Sequence, residues 1–486
     1  MAPSTTQAAT FKIQLKQKDI IQASLPLQEH YLPLSNLDLL LPPIDVSIFF
    51  CYKHRSDPNY STANGLLDTT CSSFSSKVAV LKKSLAQALV MYYPFAGEIS
   101  MNSVGEPELL CNNCGVDFFQ VYADVELNDL NLHNPDESIE GNMVPIKKNG
   151  TLAIQVTELK CRSIIIGCTF DHRVADAYSM NMFLVSWAEI AQSKPISLKP
   201  NFQRSLLNPR RPINSTGHLS IDQLFATISS LPPPPQTPHL ASEDHRFASR
   251  IYVIPAAQLL KLQTMASSDG GTKCTKLVSF SSFLWQLIAI CDSDNGKDEL
   301  ITRLGIVVNG RSRLVNNPSM TVNGNRQMME AYFGNVLTIP YGEEKVGVLG
   351  RVQFGWAAKK VAQFLKVGTS MDHFLNLIDW VEVHRPEAAL ARVYCAGTGD
   401  ESAVVVSCGR GFPSREVDFG WGRPWIGSYH FPWGGEAGYV MPMPSPARNG
   451  DWVVYMHLRM EQLKVVERAA GEVFRPLTKE YLDSIE

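Results

Sequence analysis

His172 and Asp176 lie in the stretch "SIIIGCTFDHRVADAYSMNMFLVSWAEIA" and are the side chains whose types and spacing best suit chemistry. An imidazole, with an ordinary pKa of about 6.5, can take a proton from a hydroxyl or an amine and give it back. A carboxylate four residues on falls within the first turn of a following helix, where it suits the positive end of the helix dipole. Other chemistries start from the same residues. A metal centre needs further imidazoles or thiolates within reach, and His172 with Asp176 is only part of such a set. Cys168 as a nucleophile with His172 as its base is a second option, although its neighbours place it inside a strand, where thiols are usually inert. A histidine hydrogen-bonded for purely structural reasons is the third. Cys111 and Cys114 form the one C-x-x-C, "CNNC"; without a second ligand pair nearby they read as two ordinary thiols in a turn.

The elements that must hold His172 can be read from the same stretch. "RSIIIGCTF" is β-branched and apolar, as a strand buried on both faces should be. Met180, Phe183, Leu184, Trp187 and Ile190 follow at helical intervals, which predicts a helix beginning near Ala175 or Asp176. His172 is thereby assigned to a short strand-to-helix connection, where a rigid scaffold can present a side chain at the edge of a cleft. Similar signals recur along the chain. Val80, Leu81, Leu85, Leu89 and Tyr92 mark a helix that Pro94 stops, and Phe280, Leu284, Leu287 and Ile288 mark another. "RFASRIYVIP", "RLGIVV" and "DWVVYMHL" read as strands, "NGRSRL" as a basic turn and "EQLKVVERAAGEVF" as a helix. Strands and helices alternate in both halves, so the fold class is α/β, in the α+β sense of mixed sheets with flanking helices.

Residues 208–248 are rich in Pro, Ser, Asn and Thr and include the run Pro232 to Pro235, which predicts an extended surface connection. It divides the chain into an N-terminal domain, 1–207, carrying His172, and a C-terminal domain, 249–486. At 486 residues the chain is too long for one core, in keeping with that division. A net charge of -3, with no basic stripe interleaved with aromatics, argues against a nucleic-acid surface. The first residues lack a secretory pattern, no stretch approaches the roughly 20 apolar residues of a membrane helix, and ten cysteines are scattered without a framework. A soluble, cytoplasmic protein with free thiols is expected.

Two short motifs add a resemblance. "HRVAD", His172 to Asp176, and "DFGWG", Asp418 to Gly422, stand about 240 residues apart in the order found in the plant BAHD acyl-CoA-dependent acyltransferases. "YYPFAGEI", "VNGRSRL", "YFGN" and "GDWVVYMHL" extend the likeness over nearly the whole chain. Within the family the chain is most similar to the group acting on coniferyl alcohol, through "YLPLSNLDLLLPPIDVSIFFCYK", "GCTFDHRVADAYS", "FPWGG" and "GYVMPMPSP".

The resemblance implies a two-domain, chloramphenicol acetyltransferase-like fold with the active site in a solvent channel between the domains. It implies acyl-CoA as co-substrate with no permanently bound cofactor or metal, a small alcohol as acceptor, no nucleic-acid or membrane partner, and a monomer. His172 is then the general base, with no acyl-enzyme. Asp176 points away from substrate and pairs with an arginine, Arg311 in preference to Arg313. Asp418, Gly420, Trp421 and Gly422 form a tight supporting loop packed beneath the cofactor channel. Acetyl-CoA and a phenylpropanoid alcohol such as coniferyl alcohol are the implied substrates; a hydroxycinnamoyl-CoA donor, or an amine or another alcohol as acceptor, such as a polyamine, is the alternative.

One departure from the family concerns the acceptor side. Where the family often has a Thr or Ser and, two residues on, a Trp, this chain has Ser407 and Gly409. Ser407 retains a hydroxyl, and such a donor to an oxyanion is worth about 3 kcal/mol of barrier. Gly409 lacks the indole, which predicts a widened pocket. The segment Tyr394 to Val406 has no arginine to grip an acceptor carboxylate and carries Asp400 and Glu401, which predicts a neutral acceptor.

Overall fold

The β-branched and aromatic segments pair into two large mixed sheets in the computed structural model, which describes residues 11–54, 73–231, 246–267, 273–315, 325–395 and 401–485. In the first sheet the strands run in the order Ile13–Ile21, Val116–Ala123, Leu152–Leu159, Ile164–Asp171, Asp45–Tyr52 and Ile426–His430. The second has the order Tyr341–Lys345, Ile301–Ile306, Ser402–Val406, Gly438–Pro444, Trp452–Arg459, Phe247–Ile254 and Arg475–Pro476. Within these two sheets, among the described residues, parallel pairs are confined to Val116–Ala123 with Leu152–Leu159 and to the two neighbours of the Ser402–Val406 strand. The strand Ile426–His430 lies far beyond the 208–248 segment in sequence, yet it completes the first sheet against Asp45–Tyr52.

All eight residues of Ile164–Asp171 are buried, because strands flank it on both sides and helices cover it. Two helices, Phe74–Met91 and Ala177–Ala191, pack on each other in this half, with Trp187 Nε1 donating to Ser84 Oγ at 3.0 Å. Val78, Leu81, Leu85, Ala88 and Leu89 make the buried face of the first helix; Val80 is 38% exposed and lies off it, contrary to the sequence reading. That helix ends at Met91, and Pro94 falls in the short 3-10 turn Tyr93–Ala96. The long helix Lys276–Asp294 backs the second sheet, buried at Phe280, Leu284, Trp285 and Ile288, and is capped by Thr275. "RSRL", expected as a turn, is a helical turn, Arg311–Leu314. No helix among the described residues is long and apolar enough to cross a membrane.

The expected extended connection is only partly extended. Between residues 208 and 231 it forms the short helix His218–Asp222 and the strand Phe225–Thr227, which pairs with Ala389–Ala391. Ile221, Leu224 and Phe225 supply the reason: all three are buried in a third core cluster with Phe374, Leu377 and Trp380 of the helix Met371–His384. The run Pro232 to Pro235 lies outside the described residues.

Glu106, next to the first residue of the strand Pro107–Cys111, receives Arg385 Nε at 2.6 Å and Nη2 at 2.8 Å, tying the two halves together. The Arg385 hydrogen bonds hold the Glu106 carboxyl below its ordinary value of 4.5, outweighing burial. A depressed folded pKa gives stability that is full above the unfolded value and is lost as pH falls through the folded one. Melting temperatures recorded from pH 7 down to 3 are therefore expected to fall less steeply below about 4.5 in Glu106→Gln than in the parent, because the variant has already lost the pair.

Candidate active site

The strand Ile164–Asp171 ends in a turn fixed from three directions. His172 N donates to Ile44 O at 2.9 Å, Val174 N to Asp171 O at 3.1 Å, and the Arg173 guanidinium grips Asp171 with Nε to Oδ1 at 3.0 Å and Nη2 to Oδ2 at 2.6 Å. From the other half of the chain, Asn335 Nδ2 donates to His172 O at 2.9 Å and to Arg173 O at 3.2 Å. Asn335 is itself held by Asp38, whose Oδ1 accepts from Asn335 N at 2.6 Å and from its Nδ2 at 2.9 Å. The His172 ring is half-buried. Its Nδ1 is buried without a hydrogen-bond partner among the described residues, as is Asn335 Oδ1, which leaves Nε2 as the nitrogen turned toward solvent.

Asp176 is not inside the helix but caps it: Oδ1 accepts from Ser179 N at 2.9 Å and the helix runs Ala177–Ala191. Its charge is met by Arg311, with Nη1 to Oδ2 at 2.7 Å and Nη2 to Oδ1 at 3.1 Å, a two-pronged pair with both side chains buried. Val336 N adds a third donor at 3.2 Å. Nε donates to Tyr332 O and Nη1 also to Asn309 Oδ1, while Nη2 shares its hydrogens further with Gly334 O and Ser179 Oγ, and the guanidinium carbon lies 4.5 Å from the Tyr178 ring centroid. Asp176 is therefore turned away from the solvent that His172 faces. Asn335, Asp38 and Ser179 had no role in the sequence reading. The signal that could have found them is the quoted wording "YFGN", "SNLDLL" and "GCTFDHRVADAYS", which carries Asn335, Asp38 and Ser179.

The loop Asp418–Gly422 lies elsewhere. Gly420 and Gly422 sit at φ +107° and +109°, conformations that suit glycine, and donate to Asp418 Oδ1 at 2.8 and 3.1 Å. Gln192, at the C-terminal end of the Ala177–Ala191 helix, donates to Asp418 O. Fifteen residues at about 1.5 Å each put the loop roughly 20 Å along that helix from Asp176. The loop thus lies at the far end of that helix, with Trp421 stacked on Phe419 and edge-on to Tyr52.

Gly409 also departs from expectation. A Cβ there would lie 2.7 Å from both Pro442 O and Met443 Cγ, so its side-chain direction is filled by the strand Gly438–Pro444 and opens no pocket. Gly409→Ala is expected to cost about 1–3 kcal/mol by overpacking, measured as a fall in denaturation midpoint, and a Trp there should be worse rather than restorative. Ser407 is buried beside the same strand, its N donating to Val440 O at 2.8 Å. Glu401 is paired with Arg303 at 2.5 Å, so it does not act as an uncompensated negative charge; Asp400 lies outside the described residues. Arg392 donates to the carbonyls of Asp222 and Phe225. Cys168 is fully buried, which drives its thiol far above the ordinary range and rules it out as the nucleophile. Cys111 is buried, its thiol pushed up to about 12, whereas Cys114 is exposed.

A family model described as the Transferase family matches residues 11–472. The shikimate O-hydroxycinnamoyltransferase of Nicotiana tabacum is 26% identical over 485 residues, covering 94% of this chain and 99% of its own. The (Z)-3-hexen-1-ol acetyltransferase of Arabidopsis thaliana is 26% identical over 477 residues, covering 92% and 94%. Among solved structures, vinorine synthase superposes with a TM-score of 0.65 at 19% identity over 96% of this chain and 99% of its own. F. graminearum TRI101, complexed with coenzyme A and T-2 mycotoxin, superposes with a TM-score of 0.68 at 13% identity over 91% and 98%. These similarities bear out the expected mixed-sheet, two-domain CoA-acyltransferase fold.

Proposed function

The chain belongs to the Transferase family, and from that premise we propose that it moves an acyl group, acetyl, from a CoA thioester to the hydroxyl of a phenylpropanoid alcohol such as coniferyl alcohol. It is an acyltransferase. The observation that carries the reading is His172: a half-buried imidazole on a turn fixed from both halves of the chain, with Nδ1 inward and Nε2 outward. Nε2 accepts the proton of the acceptor hydroxyl while that oxygen attacks the thioester carbonyl. The tetrahedral intermediate then collapses: the C–S bond breaks, the imidazolium returns its proton to the CoA thiolate, and ester and free CoA leave. Ser407 is the proposed donor to the oxyanion.

Asp176 and Arg311 are positioning residues in this scheme. They fix the start of the Ala177–Ala191 helix, and with it the turn that carries His172. Asp418, Gly420, Trp421 and Gly422 brace the other end of the same helix. The reading takes the protein to be a monomer working in the cytoplasm, with no nucleic-acid or membrane partner. A hydroxycinnamoyl-CoA donor, or an amine or other alcohol acceptor, is the alternative, and the names of the tobacco relative and of a hydroxyanthranilate N-hydroxycinnamoyltransferase of Avena sativa support it.

Purified protein offered acetyl-CoA or a hydroxycinnamoyl-CoA together with coniferyl alcohol or spermidine, with thiol release and product mass as readouts, decides between them. Coniferyl acetate with one free thiol per ester is the expected result. Thiol release with spermidine but not with the alcohol would reject the preferred acceptor.

A further inference from the structure

We infer that a pocket beside the Asp418–Gly422 loop, outside the reaction centre, binds a dianionic phosphate group, either free or as the ester of a small molecule. Lys53, Arg415 and Arg423 line this pocket, together with the indoles of Trp421 and Trp425. It stands well apart from His172. Tyr52, also in its lining, pairs with Ile164 at one end of the strand Ile164–Asp171, whereas the turn carrying His172 follows Asp171 at the other. The seven residue steps between them, at about 3.3 Å each, separate the two places by roughly 23 Å.

Three cations meet at the pocket, and the carboxylates beside them are already engaged. Lys53 Nζ pairs with Asp483 at 2.7 Å and lies 4.4 Å from the Trp425 ring centroid. Glu416 pairs with Arg448 and also accepts from Arg415 N at 3.1 Å, while Asp418 Oδ1 accepts from Gly420 N and Gly422 N. The side chains of Arg415, half-buried, and Arg423, exposed, have no hydrogen-bond or ion-pair partner among the described residues. Lys77 adds to the positive field, its Nζ 5.7 Å from the Trp421 ring centroid. His54, next to Lys53, registers that field: burial lowers its pKa, and Arg162 and Lys77 lower it further.

Two neutral donors in the lining are unmatched as well. Nε1 of Trp421 and Nε1 of Trp425 are both buried without a hydrogen-bond partner among the described residues, and Trp425 is only 7% exposed. Leaving a buried donor without an acceptor costs stability, and a ligand rich in acceptors reverses that cost. A phosphate group brings three acceptor oxygens and nearly two negative charges, which suits two unpaired guanidinium groups and two indole N–H groups. A carboxylate brings two oxygens and one charge. Tyr52, Leu482 and Ile485 supply an apolar wall for the organic part of an ester.

Calorimetric titration of the full chain with inorganic phosphate and with phenyl phosphate, at constant ionic strength, tests the site. Both should bind with one site per chain, and the melting temperature should rise with the concentration of either. Tighter binding of phenyl phosphate marks an ester as the natural source, and equal affinity marks the free anion. Benzoate, with the same ring and one charge, should bind about tenfold more weakly than phenyl phosphate. Arg415→Gln combined with Arg423→Gln should weaken phosphate binding by about tenfold or more, and Trp425→Phe, which removes the N–H, by about threefold. The affinity of the double variant for CoA, titrated in the same way, should stay within about twofold of the parent's. Absence of phosphate binding to the parent at about 10 mM, unchanged binding in the arginine double variant, or benzoate binding as tightly as phenyl phosphate would overturn the proposal. So would a loss of CoA affinity matching the loss of phosphate affinity, which would make the pocket part of the co-substrate site.

Discussion

His172→Gln lowers kcat by about three orders of magnitude while the KM for each substrate stays within a few-fold, the signature expected when a positioned general base is removed. Glutamine is close in size and can still hydrogen-bond, but it cannot accept a proton at neutral pH. The side chain is half-buried, and the backbone of the turn is held by Ile44 O and by Asn335 regardless of what stands at 172, so the melting temperature should stay close to that of the parent. Single-turnover release of free thiol from acetyl-CoA, with coniferyl alcohol in excess, is the direct measurement. Activity undiminished in the variant would remove the imidazole from the chemistry. A collapse of activity matched by an equal collapse in melting temperature would mean the residue serves the fold instead.

Much of this site was legible because it is local. The change from a continuous β-branched run at Ile164–Ile166 to helical spacing at Met180, Phe183 and Leu184 places His172 in a connection, and the strand and helix form there. What could not be read depends on long-range partners. Asn335 reaches His172 across 163 residues and Asp38 across 297, and no periodicity encodes such pairings. The strand Ile426–His430, which the sequence reading did not mark, is similar: its place is set by distant pairing with Asp45–Tyr52 in the first sheet. Gly409 was misread because the absence of an indole looks like empty space in a sequence, whereas the neighbouring strand fills the room. In the 208–248 segment, prolines drew attention from Ile221, Leu224 and Phe225, three apolar residues with a core to enter.

The heaviest penalty in stability falls on Asp176→Asn. Asparagine caps a helix nearly as well as aspartate, so the bond from Ser179 N can survive and the change isolates the charge. Arg311 is then left with its positive charge buried and its main counterion gone, surrounded by Tyr332 O, Gly334 O and Asn309 Oδ1, which accept hydrogen bonds but do not neutralise it. Breaking a buried pair in this way costs about 3–5 kcal/mol, against less than about 1 kcal/mol for an exposed one. Urea denaturation should therefore show a clearly lower midpoint. Adding Arg311→Met to Asp176→Asn removes the stranded charge, so the double variant should be more stable than Asp176→Asn alone, though not fully restored, since Gly334 O and Tyr332 O lose their donor. Kinetics on the folded fraction separate support from chemistry: kcat should fall less in Asp176→Asn than in His172→Gln, because the imidazole is displaced rather than absent. A double variant less stable than Asp176→Asn would show that the cost does not come from the stranded guanidinium, and a kcat as low as that of His172→Gln would require Asp176 itself to take part in proton transfer.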